Sequence, residues 1–302
     1  MLNLWSWRDA QGGSHVGVSD GPLLDQVLDL SAVESGLHSV NGLWQVHGGG
    51  EALSTFLRDA LGSTRERVAL RPETLSLPVD LTECWAAGVT YQMSRDARVE
   101  ETQGGEDFYR KVYEAERPEL FFKSPGSRVV GPYGEVGLRQ DSTWQIPEPE
   151  LTLIVDPDGH LFGYTAGNDM SCRDIEGENP LYLPQAKIYH HSAAVGPCIA
   201  LADTLDAADL EISLQIQRRE RIVFAGSVNT RMMRRTPDEL IRYLRRAWPM
   251  TGWTALMTGT AVVPPADFTL EPGDTIDIAI SGIGHLVTQA RRITSDWASV
   301  PQ

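Results

Sequence analysis

Cysteine is scarce in this chain: Cys84, Cys172 and Cys198 stand far apart, an odd set without zinc-ligand spacing. That excludes a disulfide framework and fits a reducing compartment. Positive charge is also short, with 26 Lys and Arg against 41 Asp and Glu and a net charge of −15. Such a balance disfavours non-specific contact with nucleic acid, whose phosphates carry the same sign, yet a local positive site can still take an anion. No apolar run reaches about 18 residues, so no membrane-spanning helix is expected. Met1-Leu2-Asn3-Leu4 is not a basic region followed by an apolar run, so no signal peptide is expected and the cytoplasm is the expected location. Between His47 and His160 there is no histidine at all. No internal repeat or low-complexity tract is visible.

What is present is an ordinary globular composition, 41% hydrophobic and 22% charged over 302 residues, enough for a sizeable core. Residues 1–78 read as a small N-terminal α+β domain. Its clearest element is a helix over Glu51–Leu61, where Leu53, Phe56, Leu57 and Leu61 recur at helical spacing. Gly48-Gly49-Gly50 has no phosphate-loop pattern after it and reads as a turn. Residues 79–302 read as a β-rich catalytic domain, so the fold class is α+β with mostly antiparallel pairing.

Cys84–Thr90 and Leu120-Phe121-Phe122 are strand-like. Glu148–Val155 and Leu161–Gly167 form an expected hairpin around the turn Asp156-Pro157-Asp158-Gly159, and Leu210–Gln217 with Arg221–Phe224 a second. Thr236-Pro237-Asp238-Glu239 is a capping box. It opens a helix with Leu240, Ile241, Leu244 and Trp248 on one side. Thr275–Ile280 and Leu286–Ile293 close the chain as strands. The arginines crowding residues 231–246 read as a solvated helix face with a loop before it. His190-His191 would point opposite ways in a strand, which argues against a metal pair.

The most informative stretch is Pro147-Glu148-Pro149-Glu150. Residues two apart in an extended segment share a face, so Glu148 and Glu150 aim at one spot, stiffened by the prolines. Two carboxylates that close repel each other unless a cation lies between them. A hard divalent ion such as Mg2+ or Mn2+ wants such oxygen ligands. Asp169 follows at the distance of a strand, a turn and a strand, so a hairpin can return it to Glu148. The competing reading of the two glutamates is an edge strand facing solvent, and spacing alone does not decide between them.

Several linked motifs then resemble the fumarylacetoacetate hydrolase family over about Cys84 to Arg292. They are Pro147-Glu148-Pro149-Glu150-Leu151, Gly163-Tyr164-Thr165-Ala166-Gly167-Asn168-Asp169-Met170-Ser171-Cys172-Arg173-Asp174-Ile175-Glu176, Pro184-Gln185-Ala186-Lys187 and Thr258-Gly259-Thr260. Gly88-Val89-Thr90-Tyr91, Ser94-Arg95-Asp96-Ala97-Arg98, Arg117-Pro118-Glu119-Leu120-Phe121-Phe122-Lys123 and Ile175–Pro184 look most like the branch that dehydrates 2-keto-3-deoxy-D-arabinonate and its xylonate counterpart.

The resemblance implies a small domain before a β-rich catalytic domain, Mg2+ (or Mn2+) dependence, and a homo-oligomer, dimer or tetramer. By the same resemblance Glu148, Glu150 and Asp169 match metal ligands, and Lys187 matches the active-site lysine. Glu119 matches a glutamate near the substrate. Arg173 and Thr258 match pocket residues, with Ser94 and Arg95 as further candidate substrate contacts. One departure matters. Family hydrolases activate water with a histidine three residues after the tyrosine of G-x-N-Y, and here that position is Ser94.

The expectation is therefore a hydro-lyase acting on a small 2-oxo acid of pentose catabolism. A metal would stabilise negative charge on the 2-oxo oxygen as C3 loses a proton. A general acid would then assist the C4 hydroxyl to leave as water, and a tautomerisation at C5 would give 2-oxoglutarate semialdehyde from a pentonate substrate. Lys187 and Glu119 are the candidate acid–base pair, without assignment of which does which. The alternative is a C–C hydrolase or decarboxylase of an acylpyruvate-like 2-oxo acid.

Overall fold

The computed structural model of the chain describes residues 1–91, 111–246 and 249–294. Ser94, Arg95 and Trp248 lie outside the described residues. The chain opens with β1 (Leu2–Arg8), β2 (Ser14–Asp20), β3 (Leu28–Asp29), α1 (Val40–His47) and α2 (Glu51–Leu61). Then come β4 (Glu83–Gly88), β5 (Glu119–Pro125), β6 (Glu135–Leu138), β7 (Gln145–Ile146), β8 (Pro149–Val155), β9 (Leu161–Asp169) and β10 (Ser171–Cys172). Two short helices follow, α3 (Arg173–Glu178) and α4 (Leu183–Lys187), before β11 (Ala193–Leu201), β12 (Glu211–Arg218) and β13 (Arg221–Asn229). The last elements are α5 (Pro237–Arg245), β14 (Thr254–Met257), β15 (Thr275–Ile280) and β16 (Gly284–Arg292).

The strands build a nine-stranded sheet, in the order β3-β2-β1-β11-β9-β8-β14-β4-β5, and a five-stranded one, in the order β13-β12-β15-β16-β6. A two-stranded ladder joins β10 to β7. Pairing is mostly antiparallel, but β14 runs parallel to β4 and β16 parallel to β6. The five-stranded sheet alternates cleanly. Ile212, Leu214 and Ile216 of β12 and Ile276, Ile278 and Ile280 of β15 point inward, where they pack with Leu151, Leu153 and Val155 of β8. The opposite face of the large sheet carries Leu4, Ile154 and Ile199, covered by Leu43 of α1 and Leu53 and Leu57 of α2. Each such side chain contributes about 1.5–3 kcal/mol when fully buried, so the large sheet is the layer both cores share.

The expected helix over Glu51–Leu61 is α2, and its buried Leu53 and Leu57 are among the leucines that set the period. Helix α1 was not expected. It carries Gly42 and two valines, poor helix formers, but Ser39 caps it by accepting from the Gly42 amide at 3.0 Å. The Gly48–Gly50 turn joins the two helices, with Gly48 and Gly50 at φ +70° and +67°. Strand β1 pairs with β11 through Asn3↔Ala200 and Leu4↔Ile199, so one sheet runs across the boundary placed at residue 78.

Two readings are corrected. His190 and His191 sit in a turn before β11, not in a strand, and their rings stack at 4.0 Å. Of the crowded arginines, Arg235 is buried rather than solvated. It donates to the carbonyls of Ala115 and Glu116 and pairs with Glu239 at 2.6 Å, fastening the start of α5 to the segment before β5. Among the described residues, no helix is long and apolar enough to cross a membrane.

Candidate metal centre and active site

The β8–β9 hairpin makes the site. Its register sets Glu150 opposite Gly167 and Pro149 opposite Asn168, and the Asp169 amide donates to the Glu148 carbonyl at 3.0 Å. Glu148, Glu150 and Asp169 therefore share one face at the end of the hairpin, since side chains two residues apart on a strand point the same way. One carboxylate oxygen of each lies within 4.8 Å of one from each of the others. All three groups are buried, at 2%, 1% and 2% exposure, which rules out an edge strand facing solvent.

Three carboxylates buried together are costly. Each ion loses its hydration, a penalty of several kcal/mol unless it is compensated, and like charges repel. Burial, with the neighbouring Asp169 and Glu148, pushes Glu150 well above the ordinary carboxylate range. Cations answer this charge. Lys187, at the end of α4, pairs with Glu148 and lies 3.0 Å from Asp169 Oδ2. Arg173, which opens α3, pairs with Glu148 Oε1 at 2.8 Å. Lys123 of β5 pairs with Asp169 Oδ1 at 2.6 Å. Burial draws the Lys123 ammonium below its ordinary pKa against the pull of Asp169.

Backbone donors complete the frame. The Gly259 amide donates to Glu150 Oε2 at 2.5 Å. That turn is held from both sides: Thr258 Oγ1 donates to the Leu151 carbonyl at 2.8 Å, and Thr90 Oγ1 donates to the Thr258 carbonyl at 2.6 Å. Glu119 enters from β5, where it faces Gly88 of β4. The residues suit a hard divalent ion, because three buried oxygen ligands of one sign converge where a cation relieves their repulsion. Such an ion would sit among Glu148, Glu150 and Asp169.

Of the candidates read from sequence, Glu119, Glu148, Glu150, Asp169, Arg173 and Lys187 line one cavity. Thr258 is fully buried behind it, its hydroxyl turned to the backbone, while Gly259 and Thr260 form the wall. Sequence reasoning passed over Lys123, the Gly259 amide and Glu176, a buried wall residue 3.8 Å from Arg173. For Lys123 the signal was only partial: it follows Glu119 and Phe121 at a spacing of two, but the register slip between Cys84 and Trp85 that leaves it opposite no residue of β4 is not visible in the sequence. No histidine lines the cavity among the described residues.

The family model described as fumarylacetoacetate (FAA) hydrolase C-terminal matches residues 85–291. A probable 2-keto-3-deoxyxylonate dehydratase of Haloferax volcanii is 47% identical over 212 residues, 70% of this chain and 73% of that protein. A 2-dehydro-3-deoxy-D-arabinonate dehydratase of Saccharolobus solfataricus is 45% identical over 222 residues, 72% of this chain and 74% of the other. Among solved structures, 2-keto-3-deoxy-D-arabinonate dehydratase complexed with magnesium and 2,5-dioxopentanoate superposes with a TM-score of 0.77 at 33% identity, covering 98% of this chain and all of that one.

Proposed function

The chain belongs to the fumarylacetoacetate hydrolase family, and from that premise we propose that it is a metal-dependent hydro-lyase that dehydrates a 2-keto-3-deoxypentonate to 2,5-dioxopentanoate, the semialdehyde of 2-oxoglutarate. The observation that carries the reading is the buried cluster of Glu148, Glu150 and Asp169 with Lys187 and Glu119 on the same cavity. The relatives are named as dehydratases of 2-keto-3-deoxypentonates, and a similar solved structure holds magnesium and 2,5-dioxopentanoate. The absence of histidine from residues 48–159 speaks for a lyase, which needs no attacking water.

When bound, Mg2+ (or Mn2+) supplies Lewis acidity that stabilises negative charge on the 2-oxo oxygen as C3 loses its proton. The protein's own residues move the protons. Lys187 and Glu119 form the acid–base pair, one taking the C3 proton and the other delivering a proton to the C4 hydroxyl as it departs as water, each worth about 10²–10⁴-fold. Loss of water leaves a C3=C4 double bond, and a tautomerisation that moves a C5 proton to C3 gives the C4=C5 enol, which becomes the C5 aldehyde of 2,5-dioxopentanoate. Glu119 and Phe121 both line the cavity wall. Arg173 serves on the substrate side. Ser94 and Arg95 are proposed as further substrate contacts, and Thr258 acts through the turn it anchors. We place the enzyme in the cytoplasm as a homo-oligomer, dimer or tetramer.

The test is dehydration of 2-keto-3-deoxy-D-arabinonate and its xylonate counterpart, followed as 2,5-dioxopentanoate with Mg2+ and with EDTA. Metal-dependent product, abolished in Glu148→Ala, is the expected result. No product from either acid, with cleavage of an acylpyruvate instead, would overturn it in favour of a C–C hydrolase.

A further inference from the structure

Lys123 is fully buried. It lies where the β4–β5 register slips: Cys84 pairs with Ser124 and Trp85 with Phe122, so Lys123 faces no residue of β4. Bulges of this kind re-aim a side chain, and here the side chain turns toward the carboxylates. Its ammonium pairs with Asp169 Oδ1 at 2.6 Å and donates to the carbonyls of Met170 at 2.9 Å and Lys187 at 2.5 Å. Two of the three ammonium N–H groups thus go to backbone carbonyls, and the contact with Asp169 Oδ1 is an ion pair at 2.6 Å. Lys123 does not line the cavity, so it has no proton to exchange with a substrate.

What Lys123 does is decide which oxygen of Asp169 faces the cluster. The same pattern repeats at the other two acids, where Arg173 takes Glu148 Oε1 and the Gly259 amide takes Glu150 Oε2. Each carboxylate thus has one oxygen committed to a fixed donor. The second oxygens of Glu148 and Asp169 already converge on one cation here, the Lys187 ammonium. We propose that Lys123 is a positioning residue that restricts Asp169 to a single oxygen toward the ion and so tunes the centre to a small six-coordinate ion, Mg2+ or Mn2+, against Ca2+. Mg2+ demands near-octahedral geometry, whereas Ca2+ takes 6–8 oxygens and favours carboxylates that bind through both. The inference rests on the reading of these acids as a metal site.

Two measurements test it. Calorimetric titration of the wild-type protein and of Lys123→Met with Mg2+, Mn2+ and Ca2+ compares affinities, with circular dichroism reporting whether the variant folds. The expected result is a loss of about 10–100-fold for Mg2+ and Mn2+ with a smaller loss for Ca2+, so that the preference shifts toward Ca2+. A folded variant with an unchanged ratio of Mg2+ to Ca2+ affinity overturns the proposal. Infrared difference spectra of the wild-type protein with Mg2+ need no variant. Wide splitting of the carboxylate stretches, the mark of single-oxygen ligation, is expected, and a narrow two-oxygen signature overturns the proposal even if Lys123→Met does not fold. A wild-type protein that binds none of the three ions overturns the metal reading itself, which separates the two failures.

Discussion

Gly88 and Glu119 face each other across the β4–β5 pair, and a Cβ on Gly88 would stand 2.1 Å from Glu119 Oε2. The Glu119 carboxyl therefore lies over bare backbone, and that space is what lets it reach the cavity.

Gly88→Ala should accordingly displace Glu119 without unfolding the sheet. A misplacement of about 1 Å costs on the order of 10²-fold in rate. The expected outcome is that loss in kcat with Mg2+ affinity unchanged, because Glu119 is not one of the three clustered carboxylates. Equal kcat in the variant and the parent would show that the Glu119 carboxyl takes no part in the reaction.

Lys187→Met should lower kcat by about 10²–10⁴-fold while Mg2+ still binds. The ammonium touches Glu148, Asp169 and the Ser171 hydroxyl. A purely structural lysine would instead show its loss as a fall in melting temperature and metal affinity, with kcat on the loaded protein little changed. Calorimetry beside steady-state kinetics distinguishes the two.

Much of this site was legible because one strand period does most of the work. Glu148 and Glu150 two apart, and Asp169 a hairpin later, fix a three-carboxylate face once the turn at Asp156–Gly159 is recognised, and the β8–β9 register delivers it. The expected helix at Glu51–Leu61 and the β15 strand at Thr275–Ile280 follow equally from local pattern. What local pattern does not carry is pairing between distant strands. Nothing in Leu2–Arg8 announces a partner in Ala193–Leu201, nor do Thr254–Met257 and Glu83–Gly88 declare that they run parallel. Arg235 looked like one of several surface arginines because its partners, the carbonyls of Ala115 and Glu116, are over a hundred residues away. Thr258 fell in the right turn, but the direction of its hydroxyl is a matter of tertiary geometry.

Gly259→Ala should damage the centre through the backbone. Gly259 has φ +93°, and a Cβ there would lie 2.1 Å from Thr90 Oγ1. Strain of this kind costs about 1–3 kcal/mol. Relief by shifting the turn would withdraw the amide from Glu150 Oε2. Both a lower melting temperature and weaker Mg2+ binding are expected. A fall in melting temperature alone would show that the amide does not help to place Glu150.

Away from the centre, His15 bridges Asp29 through Nδ1 at 2.9 Å and Asp9 through Nε2 at 3.1 Å, with its ring stacked on Trp7. Burial opposes the imidazolium, but the bonds to the two carboxylates outweigh it and raise the His15 pKa above its ordinary 6.5. A raised folded-state value means that the unfolded chain gives up the proton first. The stabilisation is then fully present below the unfolded value and is lost as pH rises through the folded one. The three groups are partly solvated, so the contribution is small. His15→Gln should therefore melt below the parent at about pH 6 and converge with it toward about pH 9. A gap between the two that stays constant across that range would show that His15 is held there as a neutral ring, packed on Trp7 rather than charged between Asp9 and Asp29.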